Sequence, residues 1–153
     1  GPSLSPFNAW VLLKGMETLK LRVEAQSESA HAVAEHLSAT KGVARVIYPG
    51  LPEHPQHELA KRQMAGFGGM LSILVKGGLP AARSFMERCK LFALAESLGG
   101  VESLINHPAI MTHASVPAEN RARLRMHDNL VRLSVGVEDV EELRAELDAA
   151  LNG

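Results

Sequence analysis

Apolar residues recur at helical spacing in two long segments of the chain, one near each end. The N-terminal stripe consists of Ala30, Val33, Ala34 and Leu37. This spacing predicts a helix that begins after an N-cap at Asn8 and runs to about Leu37. Gly15 lowers helix propensity by about 1 kcal/mol relative to alanine, so a bend is expected near it. A second stripe predicts a final helix over residues 140–151, and it consists of Leu143, Leu147, Ala150 and Leu151.

Between these helices, short runs rich in branched apolar residues alternate with turn-forming residues. Four such runs predict strands, and they cover residues 43–48, 70–75, 91–95 and 130–135. Three further stretches predict short helices, and they cover residues 58–64, 80–90 and 117–126. Short strands interrupted by helices, with a helix at each end, predict an α/β (α+β-like) fold. Its sheet is expected to be small, mainly antiparallel and covered by helices.

The composition fits one compact domain and argues against several classes of partner. Of the 153 residues 46% are hydrophobic, and 16 basic against 17 acidic residues leave a formal charge of −1. No basic surplus points to nucleic acid or to a membrane surface. No apolar run approaches the roughly 20 residues that span a bilayer. The single cysteine, Cys89, cannot form an internal disulfide, which favours a cytoplasmic protein. It lies on a predicted helix with no evident activating base, so an inert core thiol is expected.

The segment Ser38-Ala39-Thr40-Lys41 has the Ser-x-Thr-Lys pattern found around Schiff-base lysines. A lysine amine that forms an imine must be partly deprotonated, and it therefore needs a desolvated or cationic pocket. Lys41 instead lies at a predicted helix end, just before Gly42, where its charge suits solvent and the helix dipole. We therefore predict a surface lysine.

Other residues of chemical interest have structural explanations. A proline separates His54 from His57 and no third ligand lies nearby, so a turn is predicted there. His107 and His113 flank a proline-containing turn without metal-like spacing, and no metal site is expected. The glycine-rich segment at 66–69 lies between a predicted helix and a predicted strand. That order is the reverse of a phosphate-binding loop, so a cap and a turn are expected.

Arg132 is the one charged residue of an otherwise apolar predicted strand, where it alternates with Val131 and Leu133. Such an arginine either pairs with an internal carboxylate or is ready for the carboxylate of a ligand, which its planar guanidinium binds in bidentate fashion. The pattern alone leaves both alternatives open. The loop at 96–100 follows another predicted strand, a position where binding sites often form.

Four stretches of the sequence resemble one enzyme family. They are LFALAESLGGVESLINHPAIMTHASVP at 91–117, VIYPGLPEHPQHELAKRQMAGFGGM at 46–70, LVRLSVGVED at 130–139 and SLSPFNAW at 3–10. Together they cover essentially the whole chain in order. The chain thus resembles the Cys/Met metabolism enzymes that depend on pyridoxal 5'-phosphate (PLP), in particular cystathionine gamma-lyase and gamma-synthase.

The resemblance implies the C-terminal domain of a fold-type I PLP enzyme. Residues 1–7 would be a linker from a preceding PLP-binding domain, and residues 8–153 the domain that closes over the substrate. The Schiff-base lysine and most cofactor contacts would then lie upstream of residue 1. The family also implies a homo-oligomer, expected to be a tetramer.

The family's site residues carry over onto four positions of this sequence. The arginine of the RLSVG motif, which holds the substrate α-carboxylate, is Arg132. In AESLGG, Ser97 assists at the same carboxylate, and Glu96 faces the substrate side chain and influences the choice of reaction. Thr112, in MTHAS, lies near the site.

The activity implied is transsulfuration chemistry at the γ carbon of an amino-acid substrate. The preferred assignment is a cystathionine gamma-lyase, which yields cysteine, 2-oxobutanoate and ammonia. The alternatives are a gamma-synthase acting on O-succinyl- or O-acetylhomoserine and a non-catalytic isolated domain. The chain alone is expected to be inactive.

One position departs from the family pattern. Family members usually have glycine where this sequence has Arg125. If that position has a positive φ, an arginine there costs about 1 kcal/mol.

Overall fold

The computed structural model of the chain describes residues 3–153. In chain order its elements are α1 (Pro6–Glu17), α2 (Leu19–Ala39), β1 (Val43–Ile47), α3 (His57–Gln63), β2 (Met70–Val75), α4 (Gly78–Arg88), β3 (Ala93–Leu94), β4 (Leu104–Asn106), α5 (Ala118–Arg123), β5 (Leu130–Ser134) and α6 (Val140–Asn152). The strands form a five-stranded sheet in the order β1-β2-β5-β4-β3. Neighbouring strands are antiparallel except for the pair β3 and β4, which confirms the predicted fold class.

The core lies on one face of this sheet. The central strands β2 and β5 alternate between buried and partly exposed residues, so that one face is apolar. Its side chains are between 0 and 3% exposed at Leu71, Ile73, Val75, Val131 and Leu133. Helices α2, α4 and α6 cover this face with apolar side chains that include Val33, Leu37, Phe85, Leu143 and Leu147. The stripes predicted for the two long helices are therefore the ones that pack.

The N-terminal helix differs from the prediction at its start and in its continuity. Its N-cap is Ser5, whose hydroxyl accepts a hydrogen bond from the Asn8 N–H at 3.3 Å, and the predicted N-cap at Asn8 is wrong. Pro6 fits the first turn because that position needs no backbone N–H. Helix α1 ends at Glu17, and α2 begins after Thr18, close to the bend expected near Gly15.

The new helix start overlaps the predicted linker. Pro6 and Phe7 belong to α1, whereas Gly1 and Pro2 lie outside the described residues. The assignment of residues 1–7 as a linker stays a prediction.

Strand β4 was not predicted. All three of its residues are buried, so the sequence there shows no alternation between apolar and polar positions. It pairs with both β3 and β5, and this pairing brings together residues that are far apart in the chain. Strand β3 covers only Ala93–Leu94, shorter than the predicted run at 91–95.

Helix α1 is apolar and yet exposed. None of its residues is buried, and large side chains stand open to solvent, with Phe7 69%, Trp10 55% and Met16 64% exposed. A helix that is apolar all round is normally covered by other parts of a protein. Among residues 3–153, no helix has both the length and the apolar character that crossing a membrane requires.

Candidate functional site

Arg132 lies on the sheet face opposite the helices. Its neighbours Val131 and Leu133 are fully buried in the core, so the alternation of strand β5 turns Arg132 to the other face. Its register partners on the adjacent strands are Ser72 of β2 and Asn106 of β4. The arginine therefore occupies the centre of a polar row across three strands.

Arg132 is half-buried, and its guanidinium carries unused donors. Its Nε and Nη2 atoms are buried and have no hydrogen-bond partner among residues 3–153. Within the same residues no carboxylate lies within ion-pair distance of it. Buried donors are normally satisfied, so this arrangement favours the second alternative, an arginine with donors available to the carboxylate of a ligand.

The loop that contains Glu96 and Ser97 is fixed at both ends to the neighbours of Arg132. Before the loop, the Ala95 N–H donates to the Ile105 carbonyl at 3.1 Å, and the Ala95 carbonyl accepts from Asn106 Nδ2 at 3.2 Å. After it, the Gly99 N–H donates to Ser134 Oγ at 2.9 Å. Both Glu96 and Ser97 are exposed. Their loop thus passes along the polar face that bears Arg132.

A second set of contacts holds residues 100–103, which lead from this loop into β4, against the residues that follow β5. The Glu138 carboxylate accepts from the Ser103 N–H at 2.6 Å and from its hydroxyl at 2.9 Å. Ser103 Oγ in turn accepts from the Gly136 N–H at 2.9 Å, and Gln26 Nε2 donates to the Gly100 carbonyl at 2.7 Å. Local sequence patterns do not reveal these positioning residues, because their partners are distant in the chain.

Thr112 lies in the turn that follows β4. It is half-buried, and its Oγ1 lies 2.7 Å from Nδ1 of His113. The start of this turn is anchored by the buried His107, whose Nε2 donates to the Asp128 carbonyl at 2.7 Å. No hydrogen bond joins Thr112 to Arg132, Ser97 or Glu96 in the described part of the chain, so its place near the site stays a prediction.

The lysine and histidine candidates lie elsewhere. Lys41 is exposed, as predicted, and its carbonyl accepts from Lys76 Nζ at 2.8 Å. His54 Nδ1 accepts from the Gln56 N–H at 3.2 Å, and His57 Nδ1 donates to the Pro49 carbonyl at 2.8 Å. Both histidine contacts are local and stabilise the turn that was predicted there. The described residues contain no group of three side chains placed to hold a metal ion.

Cys89 has the environment of an unreactive thiol. It is half-buried against the core, and its Sγ donates to the Phe85 carbonyl at 3.4 Å. Burial, followed by the nearby Glu146 carboxylate, raises the pKa of the Cys89 thiol to about 12. Since the thiolate is the nucleophile, this thiol is poorly suited to covalent chemistry at neutral pH.

Comparison with known proteins gives consistent matches along almost the whole chain. The family model described as Cys/Met metabolism PLP-dependent enzyme matches residues 1–152. A cystathionine gamma-lyase of Dictyostelium discoideum is 57% identical over 97% of this chain, and a cystathionine beta-lyase of Coxiella burnetii is 52% identical over 99% of it. The crystal structure of cystathionine gamma synthase from Xanthomonas oryzae pv. oryzae, in complex with aminoacrylate and cysteine, matches 96% of the chain with a TM-score of 0.92 and 50% identity.

These proteins are considerably longer than the present chain. It spans 38% of the gamma-lyase, 39% of the beta-lyase and 38% of the solved gamma synthase chain. The three also differ in the activity that their names give. The matches confirm the family and the fold expected from the sequence, and they leave the individual reaction open.

Proposed function

The chain belongs to the Cys/Met metabolism PLP-dependent enzyme family, and from that premise we propose that it is the C-terminal, substrate-facing part of a cystathionine gamma-lyase. One observation carries the proposal: Arg132 has buried donors without partners among residues 3–153. An amino-acid substrate brings a carboxylate that matches them.

None of the lysines of this chain has the environment that a cofactor-binding lysine needs. PLP, when bound, withdraws electrons from the α carbon of an amino acid. A lysine that holds it needs a desolvated or cationic environment, but all six lysines of the chain are exposed. We therefore assign the cofactor lysine and most cofactor contacts to another part of a longer polypeptide, as the relative lengths of the family members suggest.

In this proposal Arg132 fixes the substrate by its carboxylate. A bidentate pair holds both carboxylate oxygens in the plane of the guanidinium and so sets the orientation of the α carbon. Ser97 supplies a hydroxyl donor to the same carboxylate. Glu96 faces the substrate side chain and influences the fate of the γ substituent, and Thr112 lines the site nearby.

The choice of a lyase is supported by two features. The block HPQHELAKRQ at residues 54–63 favours the lyase members of the family, and the Dictyostelium discoideum relative of that name is 57% identical. The alternative is a gamma-synthase, which replaces the acyl group of O-succinyl- or O-acetylhomoserine with cysteine. Structural similarity to the Xanthomonas oryzae synthase supports it. In either case we propose a homotetramer of the full-length enzyme, which light scattering would test.

A substrate panel on the full-length enzyme tests the proposed reaction. We expect release of cysteine and 2-oxobutanoate from cystathionine. Activity confined to O-acylhomoserine plus cysteine would replace the lyase assignment with the synthase.

The role of Arg132 is tested in the same enzyme by Arg132→Lys. A lysine keeps the charge but loses the bidentate fork, so kcat/KM for cystathionine should fall by about 100-fold, mainly through KM. Arg45→Lys is the matched control, because Arg45 is exposed on edge strand β1. Equal kcat/KM values for the two variants would contradict the proposed role.

A further inference from the structure

Asn106 lies directly beside Arg132 on the polar face of the sheet. The two residues are register partners across the antiparallel strands β4 and β5. Residues opposite each other in this way share a face, with Cβ atoms about 4.5–5.5 Å apart. Asn106 is only 1% exposed. A buried amide therefore stands next to the arginine that is proposed to bind the substrate.

The orientation of the Asn106 amide is fixed by its surroundings. Its Nδ2 donates to the Ala95 carbonyl at 3.2 Å. A carbonyl can only accept, so the amide nitrogen must face Ala95, and Oδ1 is the other end of the group. That oxygen is buried and finds no donor within residues 3–153. A buried acceptor without a donor is uncommon and calls for an explanation.

The neighbouring arginine has the complementary deficit. Its Nε and Nη2 are buried donors without acceptors in the described part of the chain. A guanidinium has five N–H donors, and a bidentate carboxylate uses two of them. An arginine that grips a carboxylate therefore still needs a protein acceptor on its remaining edge.

We propose that Asn106 is a positioning residue for Arg132. Its Oδ1 accepts a hydrogen bond from the guanidinium when Arg132 holds a carboxylate, and this bond turns the other edge of the fork towards the ligand. The inference rests on the proposed function, in which Arg132 binds the substrate carboxylate. Asn106 does not touch the substrate and acts only through Arg132.

A double-mutant cycle in the full-length enzyme tests this coupling. Asn106→Leu should lower kcat/KM for cystathionine roughly tenfold or more, mainly through KM, because one hydrogen bond to the charged Arg132 guanidinium is lost. In an Arg132→Lys background the same change should have less than about a twofold effect. Equal losses in both backgrounds would overturn the inference.

Asn106→Asp separates positioning of Arg132 from a structural role. Like Asn106→Leu it loses the donor to the Ala95 carbonyl, but it also places beside Arg132 a carboxylate that pairs with the guanidinium and competes with the substrate, so it should bind cystathionine more weakly than Asn106→Leu. If Asn106→Leu and Asn106→Asp lose substrate affinity equally, Asn106 serves only the Ala95 loop.

Asn129→Leu is the matched control for the loss of a buried amide. It removes a similar amide bond, 2.7 Å long, to the Val75 carbonyl, and it should leave kcat/KM unchanged.

A second measurement does not depend on turnover. Acetate can be titrated into the 15N-labelled 153-residue chain while the Arg132 Nε–H resonance is followed. We expect weaker acetate binding in Asn106→Leu than in the wild type, and weaker binding still in Asn106→Asp; identical titrations would overturn the inference. If the full-length enzyme lacks transsulfuration activity, the proposed function is refuted. The acetate titration still tests whether Asn106 positions Arg132.

Discussion

Arg125 occupies a backbone conformation that favours glycine. Among the described residues it is the only one other than glycine with a positive φ, at 57°. It follows Leu124, the C-cap residue of α5. Its N–H donates to the Ala122 carbonyl, and the Met126 N–H donates to the Arg121 carbonyl. These two bonds form a Schellman motif with Arg125 at the position that usually holds glycine. The strain considered from the sequence is therefore present in the structure.

Arg125→Gly should stabilise the chain. Glycine adopts this conformation without a Cβ penalty, so the free energy of unfolding should rise by about 1 kcal/mol in urea titrations. The control is Arg123→Gly, at a helical position of α5, which should lower it by about 0.5–1 kcal/mol. If Arg125→Gly also loses stability, the Arg125 side chain stabilises the fold by more than its positive φ destabilises it.

The raised pKa values of the Cys89 thiol and the Tyr48 phenol predict a loss of stability at high pH. Burial raises the pKa of each group to about 12, whereas the unfolded chain loses these protons near about 8.5 and 10. Above about pH 8.5 the unfolded state therefore binds fewer protons than the folded state, and stability falls as pH rises towards 12. Urea midpoints measured between pH 7 and 11 should decrease. Cys89→Ala should remove the part that begins near pH 8.5, and an unchanged profile would contradict this assignment.

At the scale of elements, the loop between β3 and β4 depends on contacts with the end of β5. Glu138, just before α6, accepts two hydrogen bonds from Ser103, and the Val137 N–H donates to the Val101 carbonyl at 2.9 Å. Gly136 must lack a side chain here, since a Cβ would clash with the Val101 carbonyl oxygen. This packing places the short strand β4, and with it Asn106, beside Arg132.

Glu138→Gln should weaken this connection. An amide can offer only one acceptor, so one Ser103 donor loses its partner or faces another donor, and the free energy of unfolding should fall by about 1–3 kcal/mol. Glu87→Gln is the control at an exposed position of α4 and should change it by less than about 0.5 kcal/mol. Urea denaturation measures both. Equal effects would mean that the carboxylate of Glu138 adds nothing to the fold.

At the scale of the whole molecule, the chain presents an exposed apolar helix and an arginine with unpartnered buried donors. Helix α1 exposes Phe7, Trp10 and Met16, and it packs against α2. Arg132 offers donors for a carboxylate, while the lysines of the chain do not fit the cofactor. Both features agree with the proposal that this chain functions within a longer polypeptide that covers α1 and supplies the cofactor lysine.

The 153-residue chain alone should therefore be inactive. Mixed with PLP and cystathionine, it should release no cysteine, and it should show no absorbance band above about 400 nm of the kind a buried Schiff base gives. The full-length enzyme under the same conditions is the positive control. Turnover by the short chain at a rate comparable to that of the enzyme would refute the assignment of the lysine to another part of the protein.

The sequence by itself determined the final helix, the apolar stripe of the N-terminal helical segment, three of the strands and the alternation that turns Arg132 away from the core. These follow from local periodicity: the stripe of α6 packs as predicted, and β2 has its predicted bounds of 70–75. Family resemblance in four long motifs also fixed the fold class and the cofactor dependence. Local patterns suffice for such features because each depends on residues that are close in the chain.

Only the tertiary structure decided which residues surround Arg132. Strand β4 has no alternation of its own and forms because β3 and β5 supply its hydrogen bonds. The sequence left the partner of Arg132 open between a protein carboxylate and a ligand. The structure places Asn106 beside it and provides no carboxylate among residues 3–153. The neighbours of a side chain across a sheet depend on strand order and register, which join segments distant in sequence and are therefore absent from any local pattern.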